Sequence, residues 1–246
     1  PNGSQKIGGI AASQNLNTEG QSVTFVYVDD TEGWKNVQDS TSNVTGNDNI
    51  LATGGTITTC GDDKIHTFTG PGTFYVSAIG NSSGGPNNVD YLVVAGGASG
   101  MSKNNRAPQK YGGGGGGAGG LRASSGTNSG CYTAGPLAAC VSALPVTVQG
   151  YPITVGAGGT APPAPGTASS GDNGSNSIFS TITSTGGGGG GHGSSTPTST
   201  SGDPGGAGGG GGAGPPGGAR SGGSGNTPPV SPPQGKDGGS ASGNQN

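Results

Sequence analysis

Acid–base or metal chemistry in this chain would have to run through two histidines, His66 and His192, which stand far apart in the sequence. His66-Thr67-Phe68 is not the paired His-X-His that can cage a metal ion on a symmetry axis, and no motif sets a nucleophile and a carboxylate beside it. Both histidines read as polar strand positions, and the sequence implies no metal and no cofactor. The runs Gly112–Gly120 and Gly186–Gly191 contain Gly-X-Gly-X-X-Gly spacing, yet neither opens a helix nor ends in Gly-Lys-Ser/Thr, which argues against a phosphate cradle. A glycan-cleaving site would need a carboxylate pair in an aromatic-lined cleft, and the second half of the chain is poor in both. The expectation is that the chain is not an enzyme.

Two other groups of residues are distinctive. The stretch Met101-Ser-Lys-Asn-Asn-Arg-Ala-Pro-Gln-Lys-Tyr111 concentrates Lys103, Arg106 and Lys110 of the chain's nine basic residues beside Asn104, Asn105 and Tyr111. It is the candidate recognition loop, set against the plainer reading of a solvated connector. Cys131 and Cys140 bracket a turn-bearing excursion, Tyr-Thr-Ala-Gly-Pro-Leu-Ala-Ala, whose ends could meet in a disulfide. Two reduced thiols fit the spacing equally, and Cys60 is the odd cysteine of the three. The sequons at Asn43, Asn81 and Asn173 are what chance supplies in so Asn- and Ser-rich a chain.

The elements that must hold such loops are constrained by composition. Of 246 residues, 60 are Gly and 18 are Pro, and only 26% are hydrophobic, so a conventional core is out of reach. Glycine loses the most conformational freedom on ordering, which makes disorder the default unless something regular packs the backbone. Chains without Cβ atoms can approach closely enough to hydrogen-bond to one another, as collagen illustrates, although its strict Gly-X-Y period is absent here. A bundle of polyglycine II helices is the structure this predicts.

The amino-terminal part reads differently. Ser22-Val-Thr-Phe-Val-Tyr-Val28 is a strand signal, Asp29–Gly33 a turn, and Trp34 the anchor of a small hydrophobic cluster, giving a small β-unit over 1–46. Further strand signals at Ile65–Phe68, Thr73–Ala78 and Val89–Ala95 make 47–100 a strand domain leading into the glycine-rich part. Residues 101–191 form a glycine-rich domain pinned by the apolar islands Val146–Val148, Tyr151–Val155 and Ile178–Ile182, and 192–246 a Gly/Ser/Thr/Pro tract that alone would pass for a linker. No segment has helical periodicity. The expected class is all-β with extended glycine structure, elongated, and without an α-helical domain.

A net charge of −3 with 9% charged residues offers no basic stripe for nucleic acid, and no apolar run reaches the length of a membrane span. No signal-peptide core is visible. With Pro1 first and Met101 the sole methionine, the sequence reads as a processed chain or a fragment.

Two stretches carry a resemblance. Asn2–Gly9, Asn17–Asp29 and Gly33-Trp34 are similar to a small β-motif of phage tail-fibre shafts. The succession His66–Phe74, Val89–Gly97, Gly112–Gly120, Leu121-Arg122, Val155–Gly159, Ser177–Phe179 and Gly186–Gly191 resembles the glycine-rich carboxy-terminal domain of phage tail fibre proteins, notably of marine phages and cyanophages. The resemblance implies a homotrimeric fibre on the virion, attached to other tail proteins, whose loops contact a host-surface glycan or outer-membrane protein. The chain departs from similar adhesins at 192–246, where apolar and aromatic loop residues are few, leaving a spacer or a binding tip there. Two other readings are a self-assembling extracellular filament and, more remotely, an ice-binding protein with Thr183, Thr185, Thr196 and Thr198 on one face.

Overall fold

The computed structural model describes residues 6–11, 22–39, 46–81, 84–101, 112–125, 142–162, 169–194, 199–214 and 220–241. The chain forms two compact units, one of Pro1–Thr53, Tyr75–Val89 and Pro145–Gly150 and the other of Gly54–Phe74, Asp90–Leu144 and Tyr151–Asn246. The described residues are all β or extended, with no α-helix among them.

In the first unit, β1 (Val23–Asp29) and β2 (Gly33–Asp39) form an antiparallel hairpin. Its turn is held by Asp29 Oδ1, which accepts the Thr31 and Glu32 amides at 2.8 and 2.7 Å. Gly33 closes it with φ of 69°, where a Cβ would stand 2.2 Å from the Lys6 carbonyl oxygen. The strand, acidic turn and Gly-Trp pair fall where the sequence put them. Trp34, however, is 37% exposed, edge-on to Tyr27 at 5.6 Å, because a two-stranded ribbon has no second layer to bury it. β3 (Leu51–Thr53) pairs with Tyr75–Ala78 of β6 (Gly72–Ala78), which seats Val76 at 0% exposure. β7 (Asn88–Val89) pairs with β10 (Leu144–Pro145), beside the Val146 amide, which donates to Asn87 O.

In the second unit, β4 (Thr56–Cys60) and β5 (Asp63–Thr67) make a second hairpin, β8 (Leu92–Val94) pairs with β9 (Leu121–Ala123), and β11 (Gly150–Thr154), β12 (Ser177–Phe179) and β13 (Ile182–Ser184) form an antiparallel meander. The period-two alternation in β12 and β13 turns Phe179 and Ile182 inward. The rings of Phe74, Tyr151 and Phe179 meet at 6.0 to 6.3 Å, and His66 stacks edge-on against Phe74 at 5.0 Å. The aromatic core thus sits here, and His66 is the polar strand residue expected, its Nδ1 lying 2.8 Å from Gly54 O.

From this core the same pieces of chain run on into the glycine tracts. Residues 95–101 continue β8, 112–120 lead into β9, 155–160 continue β11, 171–176 lead into β12 and 185–194 continue β13. Segments 199–203, 205–213, 220–226 and 234–241 complete the bundle. The bonding period changes from two to three: the amides of Ala95, Ala98 and Met101 donate to Gly120, Gly117 and Gly114, and those of Gly114, Gly117 and Gly120 to Gly191, Gly188 and Thr185. None of the described glycines between 96 and 239 has a positive φ. Three-residue repetition, bonds only between segments and left-handed-compatible backbone are the packing expected of polyglycine II. The described residues beyond 192, linker-like by composition, are here part of the bundle, because their glycines find neighbours that composition cannot reveal.

Segment 186–191 lies at the centre, every residue buried. Its six carbonyls accept from Gly206, Gly174, Gly117, Asp203, Gly171 and Gly114 in chain order. A Cβ on Gly188 would stand 1.9 Å from Asp203 O, and one on Gly187 2.0 Å from Gly117 O. Glycine is required because neighbouring carbonyls occupy the place a methyl would take, leaving only a Cα hydrogen to face them.

Candidate functional site

Segment 95–101 gives the bundle a direction, with Ala95 at the near end beside the aromatic core and Met101 at the far end. The three-residue ladders carry that direction to every neighbour: Met101 pairs with Gly114, Gly191 with Gly210, Thr200 with His192, Gly112 with Ala213, and Arg220 with Ala241. Ser99 Oγ donates to Thr160 O at 2.8 Å. Met101, Pro162, Ser194, Gly214 and Ala241 therefore stand at the far end, and so do Gly112, Ser169, Ser199 and Arg220.

Lys103, Asn104, Asn105, Arg106, Lys110 and Tyr111 lie outside the described residues, and so do Cys131 and Cys140. Met101 and Gly112, on either side of the basic stretch, stand at the far end, whereas Ser125, which precedes 126–141, follows β9 at the near end. Thr185, named in the ice-binding reading, has its hydroxyl within 3.1 Å of the Gln234 amide nitrogen. Thr196 and Thr198 lie outside the described residues.

Side chains tie the far end together. His192 Nδ1 lies 3.1 Å from Thr200 Oγ1 and 3.4 Å from Ser170 Oγ, and the two hydroxyls are 2.9 Å apart. The His192 amide donates to Thr200 Oγ1 at 2.9 Å, and the Thr200 amide returns to His192 O at 3.0 Å. Serving both hydroxyls with one ring nitrogen makes this a clasp between segments. Arg220 Nε donates to Ser199 O at 2.7 Å, and the Gly193 amide to Met101 Sδ at 3.3 Å.

At the near end, where the period changes, buried side chains add hydrogen bonds to backbone groups. Ser177 Oγ accepts the Gly156 amide at 2.9 Å, and Ser184 Oγ donates to Gly120 O. Gln234, 1% exposed, accepts the Thr185 amide at 2.8 Å through Oε1 and donates to Pro228 O through Nε2. Its own amide donates to Asn226 Oδ1 at 3.2 Å, so the loop from 226 to 234 is closed on itself. Ser124, wholly buried, donates to Asp90 Oδ1 at 2.6 Å and accepts the Tyr91 amide at 3.0 Å. Burial pushes the Tyr91 phenol above its ordinary pKa, with Arg122 opposing and Asp90 adding to the rise. Sequence reasoning did not find Ser170, Thr200, Asn226 or Gln234, because lone polar residues in a Gly/Ser/Thr tract carry no period of their own.

Among the described residues no cluster of His, Cys, Asp and Glu has the makings of a metal site, and no helix is long and apolar enough to cross a membrane. What the arrangement does is bond its segments to one another almost entirely through main chain. Its class is a glycine-rich all-β domain. The chain belongs to the glycine-rich domain family, whose model matches residues 69–246. Neither the curated proteins nor the solved structures gave a match.

Proposed function

We propose that the chain is a structural, host-attachment part of a phage tail fibre, non-enzymatic, in which the glycine bundle carries receptor-contacting loops. The observation that carries this reading is the far end itself: residues flanking 102–111, 163–168, 195–198 and 215–219, with Ala241, stand together on a scaffold whose bonds are almost all main chain. A scaffold held by main-chain bonds does not depend on the sequences that join its segments, which is the property an attachment surface needs. The basic stretch with Lys103, Arg106 and Tyr111 is the first candidate contact, for a glycan or an outer-membrane protein on the host. Three copies in one fibre would make many weak contacts add by raising the effective concentration of each next one.

Imaging and adsorption test this together. The full chain is expected to form a closed three-fold particle on a virion and, when added in excess, to compete with the virion for host cells. Lys103→Ala, Arg106→Ala and Tyr111→Ala combined should weaken that competition by about tenfold or more. An endless helical filament would instead support the self-assembling matrix reading, and unchanged adsorption by the triple variant would remove the basic stretch from the contact.

A further inference from the structure

Of the six amides in segment 186–191, four donate to main-chain carbonyls: Gly187 to Gly96, Gly190 to Ser99, Gly188 to Ala207 and Gly191 to Gly210. The other two, Gly186 and Gly189, donate to side chains, Asn176 Oδ1 at 2.9 Å and Asn173 Oδ1 at 2.6 Å. Both asparagines belong to segment 171–176, whose own amides at Gly171 and Gly174 donate to Gly190 and Gly187 of the same central segment. The exchange therefore runs both ways between these two segments, main chain in one direction and side chain in the other.

We infer that Asn173 and Asn176 are positioning residues that substitute for a missing bundle neighbour, their amide carbonyls standing in for peptide carbonyls. The spacing carries the inference. Two acceptors three residues apart match the period at which the central segment repeats its amides, so Asn-X-X-Asn meets Gly-X-X-Gly bond for bond. The residues between and before them, Gly174 and Gly171, lie too close to segment 95–101 for side chains: a Cβ on Gly174 would stand 2.0 Å from Gly96 O and one on Gly171 1.9 Å from Ser99 O. Asparagine is suited to the task because its carbonyl has the geometry and polarity of a peptide carbonyl on a short arm. Both asparagines are otherwise exposed, so their replacement leaves the packing of the bundle untouched. The device seats segment 171–176 against the centre and so fixes where Ser169 and Ser170 emerge at the far end.

Only the acceptor matters in this arrangement, which separates it from a general structural role. In the full chain, Asn173→Ala with Asn176→Ala should lower the hydrogen-exchange protection of the Gly186 and Gly189 amides by about tenfold or more relative to those of Gly188 and Gly191. Asn173→Asp with Asn176→Asp, which keeps an acceptor oxygen in place, should retain that protection at neutral pH. Should the alanine pair fail to fold while the aspartate pair folds, the inference stands on that contrast. Unchanged protection at Gly186 and Gly189 in the alanine pair would overturn it, and so would an aspartate pair that loses protection or folding as completely as the alanine pair does.

Discussion

The aromatic end and the glycine end of the second unit are made from the same pieces of chain, yet they are stabilised in opposite ways. At the aromatic end, side chains of Phe74, Tyr151, Phe179 and Ile182 fill the interior and the strands repeat every two residues. A few ångströms further along, the interior is main chain, the repeat is three, and what must be absent is the side chain itself. One end is broken by removing atoms and the other by adding them. The buried serines Ser177 and Ser184 stand where the two regimes meet, Ser177 accepting the Gly156 amide and Ser184 donating to a Gly120 carbonyl that also takes the Ala95 amide.

The largest effect is expected from the smallest addition. Gly188→Ala places a methyl 1.9 Å from Asp203 O in a segment bonded on several sides, and neither backbone can retreat without breaking its other bonds. The cost should exceed about 4 kcal/mol, read as loss of the cooperative thermal transition. Next comes the reverse operation, Phe179→Ala, which empties the ring contacts to Phe74 and Tyr151. It should cost about 3–5 kcal/mol by denaturant unfolding, with the central glycine amides keeping their protection until the global transition. Smallest is Gly115→Ala, where a Cβ would meet nothing within 4 Å and φ is not positive. That variant should be neutral or up to about 1 kcal/mol more stable, through a less flexible unfolded chain. If Gly115→Ala proved as damaging as Gly188→Ala, the contrast between buried and outward glycines would fail.

Much of the strand layout was legible. The run Ser22–Val28, the turn at Asp29, Thr73–Ala78 and the islands around Tyr151 and Ile178–Ile182 carry their β character in branched and aromatic side chains that recur every second residue. β3 and β4 were not found, since Leu51–Cys60 is mostly Thr, Ala and Gly, and β3 pairs with β6 more than twenty residues along the chain, although β4 has its partner β5 next to it. Trp34 drew attention as the sole tryptophan, but burial needs a second layer and the core formed around Phe74 instead. The basic stretch and the cysteine pair could be singled out by residue type alone; the side chains that fasten the bundle, Asn173, Asn176, Thr200 and Gln234, could not, because a hydrogen bond to a distant amide leaves no mark on neighbouring sequence.

By itself the sequence determined that side chains could not fill the glycine-rich part, and that the glycine runs would order only by packing backbone on backbone, since their composition leaves nothing else to bury. Only the tertiary structure decided which glycines are indispensable. Gly115 and Gly188 are the same residue in similar runs, and they differ solely in what stands beyond the Cα: open space for one, a neighbour's carbonyl oxygen for the other. Ala118, Ala207 and Ala213 mark the outward phase, where a methyl finds room. Because glycine carries no side chain to declare inside or outside, that distinction exists only once the neighbours are in place.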